Sequence, residues 1–128
     1  MKKILIVEDN GNYASILSYL MKNNGYDVRI AESGKDALEY LASDSFDAAI
    51  VDQWMLEMDG ISTISEMRKR GHNIGIILLT AMIPSEVDNL TEGLDIWKIV
   101  EKIKIEDENL LEIVKEAVEF TEMRDRVS

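Results

Sequence analysis

The stretch Ala48-Ala49-Ile50-Val51-Asp52-Gln53-Trp54-Met55-Leu56-Glu57-Met58-Asp59-Gly60 runs from an apolar segment into a carboxylate and then into a loop. A short apolar run bounded by a loop reads as a buried strand, with Asp52 at its carboxyl end. A second run, Ile4-Leu5-Ile6-Val7, ends the same way in Glu8-Asp9. Parallel neighbours would bring these ends to one edge of a sheet. Carboxylates gathered there suit a hard divalent cation and phosphoryl chemistry.

Outward from these runs the chain alternates. Residues 3–7 read as the first strand, and Tyr13, Ile16, Leu17, Leu20 and Met21 follow at helical spacing up to the stop Asn23-Asn24-Gly25. Residues 27–31 form a second strand. Ser33, three residues before Asp36, opens a helix carrying Ala37, Leu38 and Leu41. Residues 47–51 are the third strand, and Ile61, Ile64, Met67 and Arg68 lie on a third helix stopping near Gly71. The fourth strand, 74–79, is apolar except at Gly75. Pro84 suits the first turn of a fourth helix running to about Gly93. Residues 96–101 form the fifth strand, and residues 108 to about 124 the last helix.

Strict alternation implies right-handed crossovers and a parallel sheet covered on both faces. The near-continuous apolar strands agree, because parallel strands are buried on both sides. The expected fold is α/β: a doubly wound five-stranded parallel sheet, a (βα)5 three-layer sandwich. Its site lies beyond the strands' carboxyl ends, where strand order reverses.

The chain has 128 residues, which fits a single domain over 1–128. Hydrophobic content of 46% and charged content of 30% are ordinary for a globular protein. The absence of cysteine excludes disulfides and thiolate metal sites. A net charge of −11 repels phosphate backbones, so direct nucleic-acid binding by this domain is not expected. Met1-Lys2-Lys3 leads into an apolar run too short for a signal peptide or membrane span, and a cytoplasmic location is expected.

Glu8-Asp9, Asp52, Met58-Asp59-Gly60, Thr80-Ala81 and Lys102, with their spacings, resemble the receiver domain of two-component response regulators over essentially the whole chain. The resemblance implies a flavodoxin-like, CheY-like fold and a signalling receiver rather than an enzyme, with intrinsic Mg2+-dependent self-phosphorylation and dephosphorylation. It implies that Asp52 accepts a phosphoryl group from a histidine kinase or phosphotransfer protein. Glu8, Asp9, Asp52 and the Trp54 backbone carbonyl would hold Mg2+, Thr80 would hydrogen-bond the phosphoryl group, and Lys102 would pair with it. The signal would pass to a downstream effector or attached output domain through the 84–124 face, in a monomer or weak dimer.

Departures from the family pattern carry expectations of their own. Ile103 and Leu56 stand where the family usually has proline. A non-proline cis peptide costs about 2.5–4 kcal/mol, so the 102–103 bond is expected to be trans. Lys98 and Lys104 are the fallback partners for phosphate should Lys102 aim elsewhere. The Gly93-to-Lys102 stretch is longer than the family's, so the fourth helix is expected to end early. Ile99 occupies the usual position of the switching aromatic; Trp97 is read as packing, and His72 as a surface turn residue. Trp54, two residues past Asp52, is expected to shield a phosphoryl group.

Rival readings are a degenerate receiver acting as a phosphorylation-independent interaction module, a flavin binder, and an aspartate phosphatase. Flavin binding would need a Gly/Ser/Thr phosphate loop after the first strand, where Glu8-Asp9 stands instead. A phosphatase would need a cap insertion. Two carboxylates about 4 Å apart repel by roughly 4 kcal/mol at an effective dielectric of 20. Mg2+ is therefore expected to raise the melting temperature relative to EDTA, and Asp9→Ala to stabilise the metal-free protein. Coincident melts with Mg2+ and EDTA would remove the acidic pocket as the reason.

Overall fold

Ile4, Leu5, Ile6 and Val7 are all buried, as are Ala48 to Val51 and Ile76 to Leu79. Successive strand side chains point to opposite faces, so such runs require cover on both sides of a sheet. The computed structural model, which describes residues 1–82, 84–102 and 104–127, supplies it. Strands β1 (Lys3–Val7), β2 (Asp27–Ala31), β3 (Ala48–Asp52), β4 (Gly75–Thr80) and β5 (Lys98–Glu101) pair in parallel in the order β2-β1-β3-β4-β5. One face packs Ile4, Ile6, Ile50 and Ile77 against helices α1 (Gly11–Asn23) and α5 (Asp107–Val127). The other packs Leu5, Val7, Val51 and Leu78 against α2 (Gly34–Ser43) and α3 (Gly60–Lys69). The expected doubly wound sheet is the one observed, and order reverses at β1, between β2 and β3.

Three helices begin at side-chain caps. Asn10 accepts from the Tyr13 N–H, Ser33 from the Asp36 N–H and Asp59 from the Ser62 N–H. Each satisfies a donor that the first helical turn leaves free. Gly75, the interruption in the fourth apolar run, marks a close approach. A Cβ there would lie 2.5 Å from the Ala117 carbonyl oxygen of α5. The Gly75 N–H donates to Thr121 Oγ1 at 2.8 Å, and that hydroxyl donates to the Ala117 carbonyl at 3.0 Å. Buried Thr121 thus ties the start of β4 to α5.

The segment before β5 ends its helix early, as the long Gly93-to-Lys102 stretch predicts, but replaces it with a structure that periodicity does not indicate. The fourth helix is a single turn, α4 (Pro84–Val87), followed by a 3₁₀ turn at Asp88–Leu90, and it stops short of Gly93. β5 begins at Lys98, two residues later than expected. Arg68, placed by periodicity with the apolar residues of α3, explains the replacement structure. Its guanidinium donates to the carbonyls of Leu94, His72, Ile74 and Asp95. Burial pushes its pKa down to about 10, with Arg124 adding to the effect, so it stays charged at neutral pH. Asp95 has φ 56°, a left-handed conformation that reverses the chain here. Its carboxylate pairs with Arg124, which also donates to the Asn73 carbonyl. Trp97 packs its ring on Phe120 of α5, with centroids 5.0 Å apart. The 102–103 peptide bond lies outside the described residues. Among the described residues no helix is long and apolar enough to cross a membrane.

Gly75→Ala forces strand and helix apart and is expected to cost about 1–3 kcal/mol in denaturant unfolding. Thr121→Ser keeps the hydroxyl and should cost less than Thr121→Val, which strands the Gly75 N–H.

Candidate functional site

Parallel pairing places Val7 beside Val51, so the residues just beyond both strands emerge at one edge of the sheet. Glu8 follows β1 and Asp52 ends β3; both are buried, with relative exposures of 2% and 3%, while Asp9 is exposed. One carboxylate oxygen from each of Glu8, Asp9 and Asp52 lies within 4.8 Å of the others. Lys102, just past β5, reaches back across β4 to this cluster. Its Nζ lies 2.8 Å from Glu8 Oε1 and 3.2 Å from Asp52 Oδ1. The Lys102 backbone N–H donates to the Thr80 carbonyl at 2.8 Å, which continues the sheet ladder to the lysine itself. The fallback lysines do not share this position: Lys98 is exposed and Lys104 pairs with Glu101.

Burial pushes the Asp52 carboxyl up to about 6, the neighbouring Glu8 adds to the rise, and Lys102 opposes it. Burial by itself would lower the Lys102 pKa, but its bonds to Glu8 and Asp52 outweigh that and the net direction is up. A carboxylate set without nitrogen or sulfur ligands fits a hard cation such as Mg2+. The Trp54 carbonyl takes no hydrogen bond among the described residues, and Trp54 as a whole is 59% exposed.

The loop after β3 is held by groups that periodicity does not reveal. Buried Gln53 accepts the Ile61 N–H on Oε1, and its backbone carbonyl accepts the Gly60 N–H. Gly60 packs so tightly that a Cβ would lie 2.4 Å from the Asp52 carbonyl oxygen. Leu56 donates its N–H to Asp9 Oδ2 at 3.1 Å. A proline has no N–H to give, so the departure at Leu56 creates this bond. The bond also opposes removal of Asp9, and the gain expected from Asp9→Ala is correspondingly smaller.

The sequence model described as Response regulator receiver domain matches residues 4–115. The chain belongs to this family. The transcriptional regulatory protein ZraR of Escherichia coli K12 is 34% identical over 119 residues, covering 92% of this chain and 26% of ZraR. Response regulator MprA of Mycolicibacterium vanbaalenii is 34% identical over 93 residues, covering 73% of this chain and 39% of that protein. The chain thus spans well under half the length of these relatives. The receiver domain of Francisella response regulator 1452 superposes with a TM-score of 0.87 at 25% identity, covering 94% of this chain and 99% of that one. Response regulator TrrA of Thermotoga maritima, solved in complex with Mg2+-BeF, superposes with a TM-score of 0.81 at 32% identity, covering 91% and 99%.

Thr80 of this receiver stands fully buried at the end of β4, where its Oγ1 accepts the Met82 N–H at 3.0 Å. It shares the sheet edge with the carboxylates but makes no hydrogen bond to them among the described residues. Ile99, at the usual switch position, packs into the core, and Trp97 is occupied by Phe120. His72 lies in the turn after α3, away from the carboxylates, and burial lowers its pKa. Tyr13 went unread as part of the site, because helical spacing assigns it to the apolar face of α1. Its ring in fact lies under Lys102, with Nζ 4.1 Å from the centroid.

The raised pKa of Asp52 sets a pH dependence. The folded protein protonates Asp52 near pH 6 and the unfolded chain near 3.8, so this group stabilises the metal-free fold as pH falls from 7.5 to 5. His72 works in the opposite direction, because its folded pKa is depressed. The stability difference between wild type and Asp52→Asn isolates the first effect. In EDTA the wild type should gain about 1 kcal/mol on the variant between pH 7.5 and 5. A difference independent of pH would contradict the raised pKa.

Proposed function

We propose that the chain, over 1–128, is one receiver unit that accepts a phosphoryl group on Asp52 from the phosphohistidine of a histidine kinase or phosphotransfer protein. The observation that carries this reading is the Lys102 ammonium, held against both Glu8 and Asp52 within a three-carboxylate cluster. That is the charge pattern a phosphoryl acceptor needs.

In the transfer, an Asp52 oxygen bonds to phosphorus as the phosphorus–nitrogen bond to the donor imidazole breaks, and the imidazole nitrogen keeps the electron pair. Asp52 is largely ionised above pH 6 and so is available as the nucleophile. Lys102 exchanges a carboxylate oxygen for a phosphoryl oxygen and offsets the incoming charge. The Thr80 hydroxyl, whose oxygen already takes the Met82 N–H, has its proton free to donate to the phosphoryl group. Glu8, Asp9, Asp52 and the Trp54 carbonyl would hold Mg2+, which neutralises and orients phosphoryl oxygens when bound.

Recruitment of the Thr80 hydroxyl pulls on Met82 and on the segment that follows. The signal then reaches the 84–124 face, where Leu90, Trp97 and Met123 are exposed, for reading by a downstream effector or attached output domain. The reading places the receiver in the cytoplasm as a monomer or weak dimer, with self-phosphorylation and dephosphorylation as its own chemistry.

Treatment with acetyl phosphate and Mg2+, followed by intact mass spectrometry, tests the reading. One phosphoryl group is expected on the wild type, none on Asp52→Asn and none in EDTA. A gain that survives Asp52→Asn would overturn the site. A wild type that gains nothing would favour the phosphorylation-independent interaction module.

A further inference from the structure

Lysine is a compact, strongly hydrated charge on a flexible four-carbon stem, so a lysine that must face one carboxylate needs something to hold it there. In this receiver the chain past Lys102 offers no proline; Ile103 follows. The tether on the N-terminal side is the backbone bond from the Lys102 N–H to the Thr80 carbonyl. Among the described residues the ammonium has three contacts: Glu8 Oε1 at 2.8 Å, Asp52 Oδ1 at 3.2 Å and the face of Tyr13, with the centroid at 4.1 Å. The carboxylates pull from one side and the ring closes another.

Tyr13 is itself fixed. It lies in the first turn of α1, and its N–H is taken by the cap Asn10 Oδ1 at 3.1 Å. Its partly buried ring packs against the core face of α1 and α5. The cap directly follows Glu8-Asp9, so one short segment carries two metal-site carboxylates and the ring that restrains the lysine.

We propose that Tyr13 is a positioning residue for phosphoryl acceptance: its ring covers Lys102 and holds the ammonium at Asp52 before a phosphodonor arrives. An aromatic face attracts a cation and excludes water from one side of it, which strengthens the charge interactions that remain. Any flat aromatic ring serves; the Tyr13 hydroxyl is not required. The proposal rests on Asp52 being the phospho-acceptor.

Two measurements on the full chain test it. The first is the NMR shift of the Lys102 ε-methylene protons in the resting protein. A ring face moves them upfield in wild type and Tyr13→Phe, and Tyr13→Leu should return them towards an ordinary lysine shift. The second is the affinity for beryllofluoride with Mg2+, followed by Trp54 fluorescence. Tyr13→Leu should bind about 3- to 30-fold more weakly, Tyr13→Phe within about twofold of wild type, and Tyr13→Leu should cost nothing further in a Lys102→Ala background. Equal affinity for wild type and Tyr13→Leu would overturn the proposal, as would an equal loss with and without Lys102. A wild type that takes up no beryllofluoride would overturn the phospho-acceptor reading and this proposal with it. Uptake without a Tyr13 effect would overturn this proposal alone.

Discussion

Three carboxylates with oxygens within 4.8 Å of one another repel, and two of them are buried where water screens little. Lys102 makes the arrangement tenable. Its ammonium bridges Glu8 and Asp52 from the far side of β4, so the ends of β1, β3 and β5 are joined by charge as well as by the sheet. The bridge leaves a residue of strain: Asp52 still has its pKa raised, because desolvation and Glu8 outweigh the lysine. The site therefore retains a demand for positive charge, of the kind a divalent cation would answer.

The geometry that creates this demand is enforced by neutral groups packed around the charges. Gly60 returns the chain against the Asp52 carbonyl with no room for a side chain. Gln53 takes the Ile61 N–H, and Leu56 spends its own N–H on Asp9. At the opposite end of the sheet, Thr121 supplies the acceptor that the Gly75 N–H lacks, and Arg68 satisfies four carbonyls around the chain reversal at Asp95. Buried polar groups need partners, and here the irregular segments are shaped by the side chains that provide them.

The reorganised stretch between α4 and β5 has a functional bearing. A one-turn helix and a 3₁₀ turn replace a longer helix, and Trp97 stacks on Phe120 instead of standing at the position the family uses for its switching aromatic. Ile99 fills that position and is packed in the core. The two residues nearest the expected switch position are thus an aliphatic side chain and an aromatic held by α5. The Thr80 hydroxyl instead accepts the Met82 N–H, which ties it to the chain that follows β4.

The alternation of apolar runs with amphipathic segments was enough to read the parallel sheet, its two covered faces and the edge where Glu8, Asp9 and Asp52 emerge. Strand burial is a local pattern of period two or of continuous apolar residues, and the Ser33 start of α2 is a local hydrogen bond, so both are written in neighbouring residues. The end of the fourth helix was legible as a length anomaly, but not the structure that replaced it. Arg68 looked like a member of a helical stripe, and Tyr13 looked like core. Their roles depend on partners far away in sequence: Leu94, Asp95 and their carbonyls for one, Lys102 for the other. Sequence by itself determined which carboxylates share an edge, because topology follows from periodicity. Only the tertiary structure decided which cation reaches them and what restrains it, because a long flexible side chain takes its direction from whatever charge and aromatic surface the fold brings within its reach.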